Sequence, residues 1–329
     1  MVIKLTTAAL LLFLLELIYL KIAVKKNIKD NPNHRSSHKH PTVRGGGIII
    51  PLAVIIFAIL YQPIAFKFYL FLTGIILVSV ISFIDDLIML SSKLRIFIHA
   101  FALTLSFYAL GIFDITSFYG LFFLMIAFIA SIGFLNIYNF MDGINGITFL
   151  NGVVTLVTLL YLNSYYISYA NFNLLVILII SLSVFGFFNF RKNAACFAGD
   201  IGSITMGFIL IYLVLKFYIV TNNIFILLIF AVYLLDGGWT IIERMLKKEN
   251  IFEAHKSHLY QIMANDLKLA HLKVSSIYFI AQAIINCIVI LLITNNINSY
   301  LLFASMFVGL SLIYIITKKL MLQKIQSHT

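Results

Sequence analysis

The sequence predicts an all-α integral membrane protein, a single polytopic domain over residues 1–329 with about 11 transmembrane helices. The first observation is composition: 62% of the 329 residues are hydrophobic and 11% are charged, where a soluble domain has about 25% charged residues. The second is patterning, because apolar stretches of about 16 to 21 residues recur along the chain, close to the ~20 residues with which a helix crosses ~30 Å of hydrocarbon. A soluble protein of this length cannot bury so much apolar surface.

The predicted spans follow one another with mostly short connections. No small-residue cleavage site follows the first span, which continues into a charged loop, so we expect a retained helix and not a signal peptide. On one side of the membrane the connections are only a few residues long, so they cannot form a binding site for a large substrate there. The spans lie near 5–24, 46–61, 68–84, 96–112, 118–136, 148–165, 173–189, 203–219, 224–242, 274–294 and 300–317.

The distribution of Lys and Arg predicts how the helices are oriented. Of the 23 such residues, 20 lie in five alternate segments: 21–45, 85–95, 190–202, 243–273 and the tail after 317. The positive-inside rule makes these segments cytoplasmic, with the N-terminus outside and the C-terminus inside. The net charge of +11 therefore reflects topology. We expect membrane lipids as partners and no nucleic acid.

Acidic residues gather at the predicted cytoplasmic ends of the spans. Asp85 and Asp86 end the third span, Asp142 follows the fifth and Asp200 precedes the eighth, whereas Asp236 lies within the ninth. Carboxylates on one membrane face beside a basic loop are typical of a site for Mg²⁺ with phosphate ligands. The predicted active site is built from loops 25–46, 85–95, 137–147, 190–203 and 243–273.

Each acidic motif also has a purely structural interpretation. The Asp-Asp pair can be solvated at the interface, Asp200 or Ser203 can cap the eighth span, and Asp236 can pair with a base such as Arg244. A cap does not explain the glycines around Asp200 in GDIGS, which would let backbone N–H groups approach a phosphate at a positive helix end.

Three further segments are candidates for substrate contacts. The stretch NIYNFMDGINGI at 136–147 combines amides with two glycines that permit a tight turn. The stretch FEAHKSHLYQ carries His255 and His258, which would share one face if the segment is helical, with Lys256 between them. RSSHKHPTVRGGG at 35–47 is either a flexible basic linker or a phosphate-contacting loop that includes Arg44. Cys196 and Cys287 form no disulfide framework or metal-type spacing.

Together these motifs resemble those of the polyprenyl-phosphate N-acetylhexosamine-1-phosphate transferases, the glycosyltransferase 4 type. The resemblance covers nearly the whole chain and rests on five motifs in order: RSSHKHPTVRGGG, FIDDL, NIYNFMDGINGI, GDIGS and AHKSHLYQ. The histidine segment is similar to the O-antigen-initiating branch, whose usual pattern is A-H-R-x-H-x-Y-Q, with Lys256 in place of the usual Arg. The stretch FNFRKNAACFAGD departs from the family because it lacks the usual proline and is one residue longer.

The resemblance implies transfer of a HexNAc-1-phosphate from a UDP-sugar to undecaprenyl phosphate at the cytoplasmic face of the bacterial inner membrane. UMP is released and a lipid-linked surface polysaccharide is initiated. The cofactor implied is Mg²⁺, with Mn²⁺ as a substitute. The oligomeric state stays open, with a homodimer as one alternative. Direct attack by the lipid phosphate is favoured, and a covalent aspartyl intermediate stays open.

The resemblance also implies roles for particular residues. Asp85 would deprotonate the lipid phosphate, and Asp86 and Asp200 would hold the metal. The residues implied in substrate binding are Arg44, Asn136, Asn139, Asp142, Phe197, His255, Lys256 and His258, with Phe197 against the uracil.

Two other functions fit an acid-rich membrane protein. An ion-coupled transporter would spread its acids through the membrane depth and use paired broken helices, whereas here the acids gather at one face. A polyprenyl diphosphate phosphatase would need metal and lipid, but it has no use for the asparagine-rich segment 136–147 as a nucleotide pocket.

Overall fold

The computed structural model describes residues 1–32, 37, 40–88, 90–113, 118–250 and 256–327. The protein is 79% helical with almost no strands, so the predicted all-α class is confirmed. The elements are α1 Val2–Lys25, β1 Lys29–Asp30, β2 Thr42–Val43, α2 Ile49–Tyr61, α3 Phe66–Ile88, α4 Ser92–Leu110, α5 Phe118–Phe140, α6 Ile147–Tyr165, α7 Phe172–Asn189, α8 Gly199–Thr221, α9 Ala231–Leu246, α10 Leu259–Gln261, α11 His271–Thr294 and α12 Tyr300–Gln326.

Within the described residues, ten helices are long and apolar enough to cross a membrane. One of them, Ile224–Leu246, joins a 3₁₀ segment, Ile224–Phe230, to α9. The predicted second span, 46–61, is shorter: a 3₁₀ turn, Gly46–Ile48, leads into α2. Ten of the eleven predicted spans are therefore full-length helices, and the protein is a multi-pass membrane protein.

Local sequence signals account for several helix ends. Ser91 caps α4 by accepting a hydrogen bond from the N–H of Leu94, and Gly111 ends that helix in the left-handed conformation. Asn171 and Ser299 cap α7 and α12 in the same way. These caps fix where the spans begin, so the polar ends of the bundle follow from short-range chemistry.

Helix α8 lies at the centre of the bundle. It packs against α2, α3, α4, α5 and α6, and almost every residue from Gly199 to Val214 is buried. The outermost helix is α12, of which few residues are buried, and its exposed apolar side chains suit a lipid solvent. The N-terminus of α8 is therefore the central point of one end of the bundle.

Three polar segments meet at that end. The last turn of α3 reaches the first turn of α8 through hydrogen bonds from backbone N–H groups to Asp86. Strands β1 and β2 pair antiparallel, and Val43 of β2 forms a bridge with Cys196 just before α8. The loop between α1 and α2 is thereby tied to the start of α8.

Candidate active site

The glycine loop after β2 lies directly on the start of α8. The N–H of Gly46 donates to the carbonyl of Phe197 (2.8 Å) and that of Gly47 to the carbonyl of Ala198 (3.0 Å). A Cβ on Gly47 would lie 2.2 Å from the Cα of Gly202, so only glycine permits this approach. The glycine end of the segment, residues 45–47, is thus packed against α8 and is not a flexible linker, and it places the preceding Arg44 at the helix end.

Arg44 joins two of the predicted aspartates. Its Nε lies 2.6 Å from Asp86 Oδ1, and its Nη2 lies 3.1 Å from Asp200 Oδ1. The Tyr19 hydroxyl of α1 donates to the Arg44 carbonyl (2.5 Å) and holds the loop. Burial disfavours the charged guanidinium, but the charges of Asp86 and Asp200 outweigh it and raise the Arg44 pKa.

Asp86 serves as the cap of α8. It accepts hydrogen bonds from the N–H groups of Asp200 (3.0 Å) and Ile201 (3.2 Å), and its side chain is fully buried. A carboxylate is favourable at the positive end of a helix. The cap therefore comes from α3, and the side chain of Asp200 points instead to arginines.

Arg95 of α4 is a site residue that the sequence did not single out. Its Nη1 lies 2.6 Å from Asp85 Oδ2 and 3.7 Å from Asp200 Oδ2. Asp85 also accepts from the N–H of Leu90 (2.6 Å). Asp200 thus lies between two guanidinium groups. The sequence feature that could have identified Arg95 is its position as the one arginine in the first turns of an apolar span, ten residues after Asp85.

The asparagine-rich segment supplies the next side of the site. Asp142 accepts a hydrogen bond from the Thr148 hydroxyl, and Asn139 accepts one from Ser203 of α8 (2.6 Å). Burial raises the pKa of Asp142 to about 7; the Thr148 bond opposes that shift and the charge of Asp200 adds to it. Asp142 is therefore poised between its neutral and charged forms near neutral pH.

Some of these side chains line one cavity of about 360 Å³, a size usual for small-molecule sites; Asp85, Asp86 and Arg95 are not among its lining residues. Five predicted residues line it: Arg44, Asn139, Asp142, Phe197 and Asp200. Other lining residues were not singled out as site residues from the sequence, among them Asp30, Asn145, Asn189, Gln261 and His271. Amides, carboxylates, a guanidinium, a phenyl ring and an imidazole thus face a common space.

Other predicted residues lie outside the lining of this cavity. Asn136 is exposed on α5 and donates to the Ile132 carbonyl, and Lys256 is exposed. His258 is 1% exposed and lies in extended backbone before α10, so it is not on a helix face. His255 lies outside the described residues. The roles of these four in substrate binding stay predictions.

Asp236 holds the histidine segment in place. Its carboxylate accepts from the N–H groups of Leu259 (2.8 Å) and Tyr260 (3.3 Å), and from the hydroxyls of Tyr278 (2.6 Å) and Tyr314 (3.0 Å). His258 Nδ1 lies 3.5 Å from it. Asp236 therefore has a structural role, as one of its two interpretations predicted. Its partners are these backbone N–H groups and tyrosines and not Arg244, which pairs with Glu249.

The donor chemistry of the cavity fits a Mg²⁺ ion held chiefly by phosphate. Asp200 and Asp142 bring carboxylates to the cavity and Asn139 an amide. The described part of the chain holds no cluster of three or more His, Cys, Asp or Glu side chains arranged for a metal. Mg²⁺ commonly takes one or two carboxylates and completes its shell with phosphates and water. Because both oxygens of Asp86 accept N–H groups, Asp200 is the better placed of the two predicted ligands.

Comparison with known protein families gives a match over the central helices. The family model described as glycosyl transferase family 4 matches residues 68–218, which run from α3 to α8 and include Asp85, Asp86, Asp142 and Asp200. No curated protein matches the chain. Over this part, just under half of the chain, the predicted resemblance is confirmed: the residues are similar to glycosyl transferase family 4, the family of polyprenyl-phosphate sugar-1-phosphate transferases.

Proposed function

We propose that this membrane transferase moves a HexNAc-1-phosphate from a UDP-sugar to undecaprenyl phosphate, at the cytoplasmic face of the bacterial inner membrane. The reaction releases UMP, requires Mg²⁺ and starts a lipid-linked surface polysaccharide such as O-antigen. One observation carries the proposal: Asp200 opens α8 between Arg44 and Arg95, in a cavity whose other walls hold Asn139 and Asp142.

Two arginines give the reaction its positive charge. Attack of one phosphate on another brings anions together, so the phosphates need cations and N–H donors around them. Arg44 and Arg95 lie on either side of Asp200, at the positive end of the α8 dipole. We infer that donor and acceptor phosphates meet here, with Asp85 next to Arg95 as acceptor of a proton from the lipid phosphate.

The remaining lining residues suit a nucleotide. Phe197 brings an aromatic ring to the cavity, and Asn139 and Asn145 bring amides, which can pair with the edges of a uracil or the hydroxyls of a ribose. In the proposed reaction an oxygen of the lipid phosphate forms a bond to the sugar-linked phosphorus as the bond to UMP breaks. When bound, Mg²⁺ neutralises the diphosphate oxygens, and Asp200 would hold it.

The first experiment incubates the purified protein with undecaprenyl phosphate, Mg²⁺ and a panel of UDP-HexNAc sugars, and measures UMP. We expect UMP release with at least one sugar and none without the lipid phosphate. If none of the UDP-sugars in the panel gave UMP release, that result would contradict the proposal. Release of inorganic phosphate from an undecaprenyl diphosphate instead would favour the phosphatase.

The second experiment tests Asp200 directly. Asp200→Asn keeps the shape of the side chain but removes the charge, so we expect UMP release to fall at least about 100-fold while the protein stays folded. Glu243→Gln is the matched control, because Glu243 pairs with Lys318 and does not line the cavity. Wild-type turnover by Asp200→Asn would remove Asp200 from the site.

The proposed sidedness has its own test. In intact cells and a Cys287→Ser background, a cysteine at the exposed Lys247 should react with an impermeant thiol reagent only after permeabilisation. A cysteine at Ile64, which is 98% exposed at the other end of the bundle, should react without it. The reverse pattern would place the cavity outside the cell.

A further inference from the structure

A second cavity lies at the end of the bundle opposite to the aspartates. It has a volume of about 390 Å³ and is lined by the start of α3, the end of α8 and parts of α2, α4 and α7. Lys67 on α3 precedes Asp85 by 18 residues and Lys216 on α8 follows Asp200 by 16, so at 1.5 Å per residue the two ends are roughly 24 to 27 Å apart. The cavity is therefore separate from the candidate active site.

The walls of this second cavity are mostly apolar. Phe57, Phe71 and Leu174 line it, and Tyr212 stacks on Phe71 with 3.8 Å between ring centroids. Such walls bind hydrocarbon and offer little to a freely soluble anion. The cavity also lies where α3 begins and α8 ends, at the level of lipid headgroups if these helices cross the bilayer.

Lys67 and Lys216 bring positive charge to the same apolar cavity. Of the 23 Lys and Arg residues, only Lys4, Lys67 and Lys216 lie outside the five basic segments, and two of these three line the cavity. None of the described acidic residues lines it, and Lys67 and Lys216 repel each other electrostatically. An anion between them would remove that repulsion.

A lysine near a helix end can simply extend its ammonium group to the interface. That behaviour explains each lysine alone, but it does not explain why both lie on one cavity with apolar walls. Lys4 shows what a lysine with protein partners does at this end: its Nζ donates to the Leu60 carbonyl (2.7 Å) and lies over the Tyr61 ring.

We propose that this cavity is a binding site for an anionic phospholipid of the leaflet opposite to the candidate active site. The lipid phosphate lies between Lys67 and Lys216, and the first part of an acyl chain lies against Phe71 and Leu174. The site is independent of sugar-phosphate transfer, because no residue of the candidate active site lines it.

The test measures lipid bound to the purified protein by native mass spectrometry, with phosphatidylglycerol and phosphatidylcholine in equal amounts. One lysine near an anionic headgroup is worth about a fivefold preference, so Lys67→Gln with Lys216→Gln should lower the phosphatidylglycerol preference by at least about tenfold. Lys4→Gln is the matched control and should change it less than twofold. Millimolar inorganic phosphate should not displace the lipid.

Thermal unfolding gives a second readout on the same proteins. Phosphatidylglycerol should raise the unfolding temperature of the wild type and of Lys4→Gln, but not that of the double variant, and UMP release in detergent should be equal in all three. An unchanged lipid preference in the double variant would overturn the proposal.

Discussion

Replacing Asp236 by asparagine tests the strongest structural inference about the segment after α9. Oδ1 accepts from the Leu259 N–H and the Tyr314 hydroxyl, and Oδ2 accepts from the Tyr260 N–H and the Tyr278 hydroxyl. An asparagine keeps one acceptor oxygen and puts an NH₂ group in place of the other. Whichever way it turns, two buried donors lose their acceptor.

The magnitude follows from those four bonds. A hydrogen bond to a charged group contributes about 1.5–3 kcal/mol, so the loss of two predicts a decrease of roughly 3–6 kcal/mol in the free energy of unfolding. The tyrosine hydroxyls can rotate to other partners, which favours the lower end. With roughly 2–4 °C per kcal/mol, the unfolding temperature should fall by at least about 6 °C.

The assay is thermal unfolding in detergent, with Glu243→Gln as the control. In the Lys318 pair (2.7 Å), Lys318 is buried and Glu243 is 38% exposed. The amide oxygen of the glutamine can still accept from the ammonium group, so the unfolding temperature should fall less than in Asp236→Asn. Gln261 directly follows the anchored residues Leu259 and Tyr260 and lines the cavity. Asp236→Asn should therefore also raise the KM for the UDP-sugar. Equal unfolding temperatures for the two variants would refute the anchoring role of Asp236.

Three further outcomes are expected. Gly47→Ala should destabilise the protein by more than about 2 kcal/mol, because its Cβ would meet the backbone of Gly202. The control is Gly238→Ala, whose Cβ meets nothing within 4 Å and which should be neutral or stabilising by up to about 1 kcal/mol. Equal shifts of the unfolding temperature in the two variants would contradict the close approach of Gly47 to Gly202. For Asp142, the folded pKa of about 7 exceeds the ordinary 3.8, so the folded state binds the extra proton and stability falls as pH rises from about 4 to 7, by up to about 1.4 kcal/mol per pH unit. Asp142→Asn should flatten the dependence of the free energy of unfolding on pH, measured by unfolding at several pH values without divalent ions. An unchanged pH dependence would mean that other groups cause it. Arg44→Lys cannot reproduce the two-branched contact with both carboxylates, so kcat should fall at least about tenfold with an intact fold, and wild-type kcat would show that charge alone suffices.

Much of the site was predictable because it depends on short motifs. Arg44, Asn139, Asp142 and Asp200 lie in short motifs, Phe197 was named through the family resemblance, and all five share one cavity. Each pattern ends or begins an apolar span, and span ends on the same side meet at the same end of a bundle.

The partners of individual charges were not predictable in the same way. Arg95 lies in the first turns of a span that belongs to none of the five motifs, and its pairing with Asp85 depends on how α3 and α4 are rotated against each other. The partners of Asp236 come from α11, α12 and the segment after α9. A nearby arginine on the same helix was the only partner visible from sequence.

The sequence by itself determined the membrane class, the approximate positions of the ten full-length spans and the grouping of the acidic motifs. These follow from the transfer of each apolar stretch into hydrocarbon, which adds up residue by residue along the chain. Only the tertiary structure decided that Asp86 caps α8, that the glycine loop is packed and that α2 is short. Those features depend on the rotation and register of helices far apart in sequence, and packing of many side chains at once sets both.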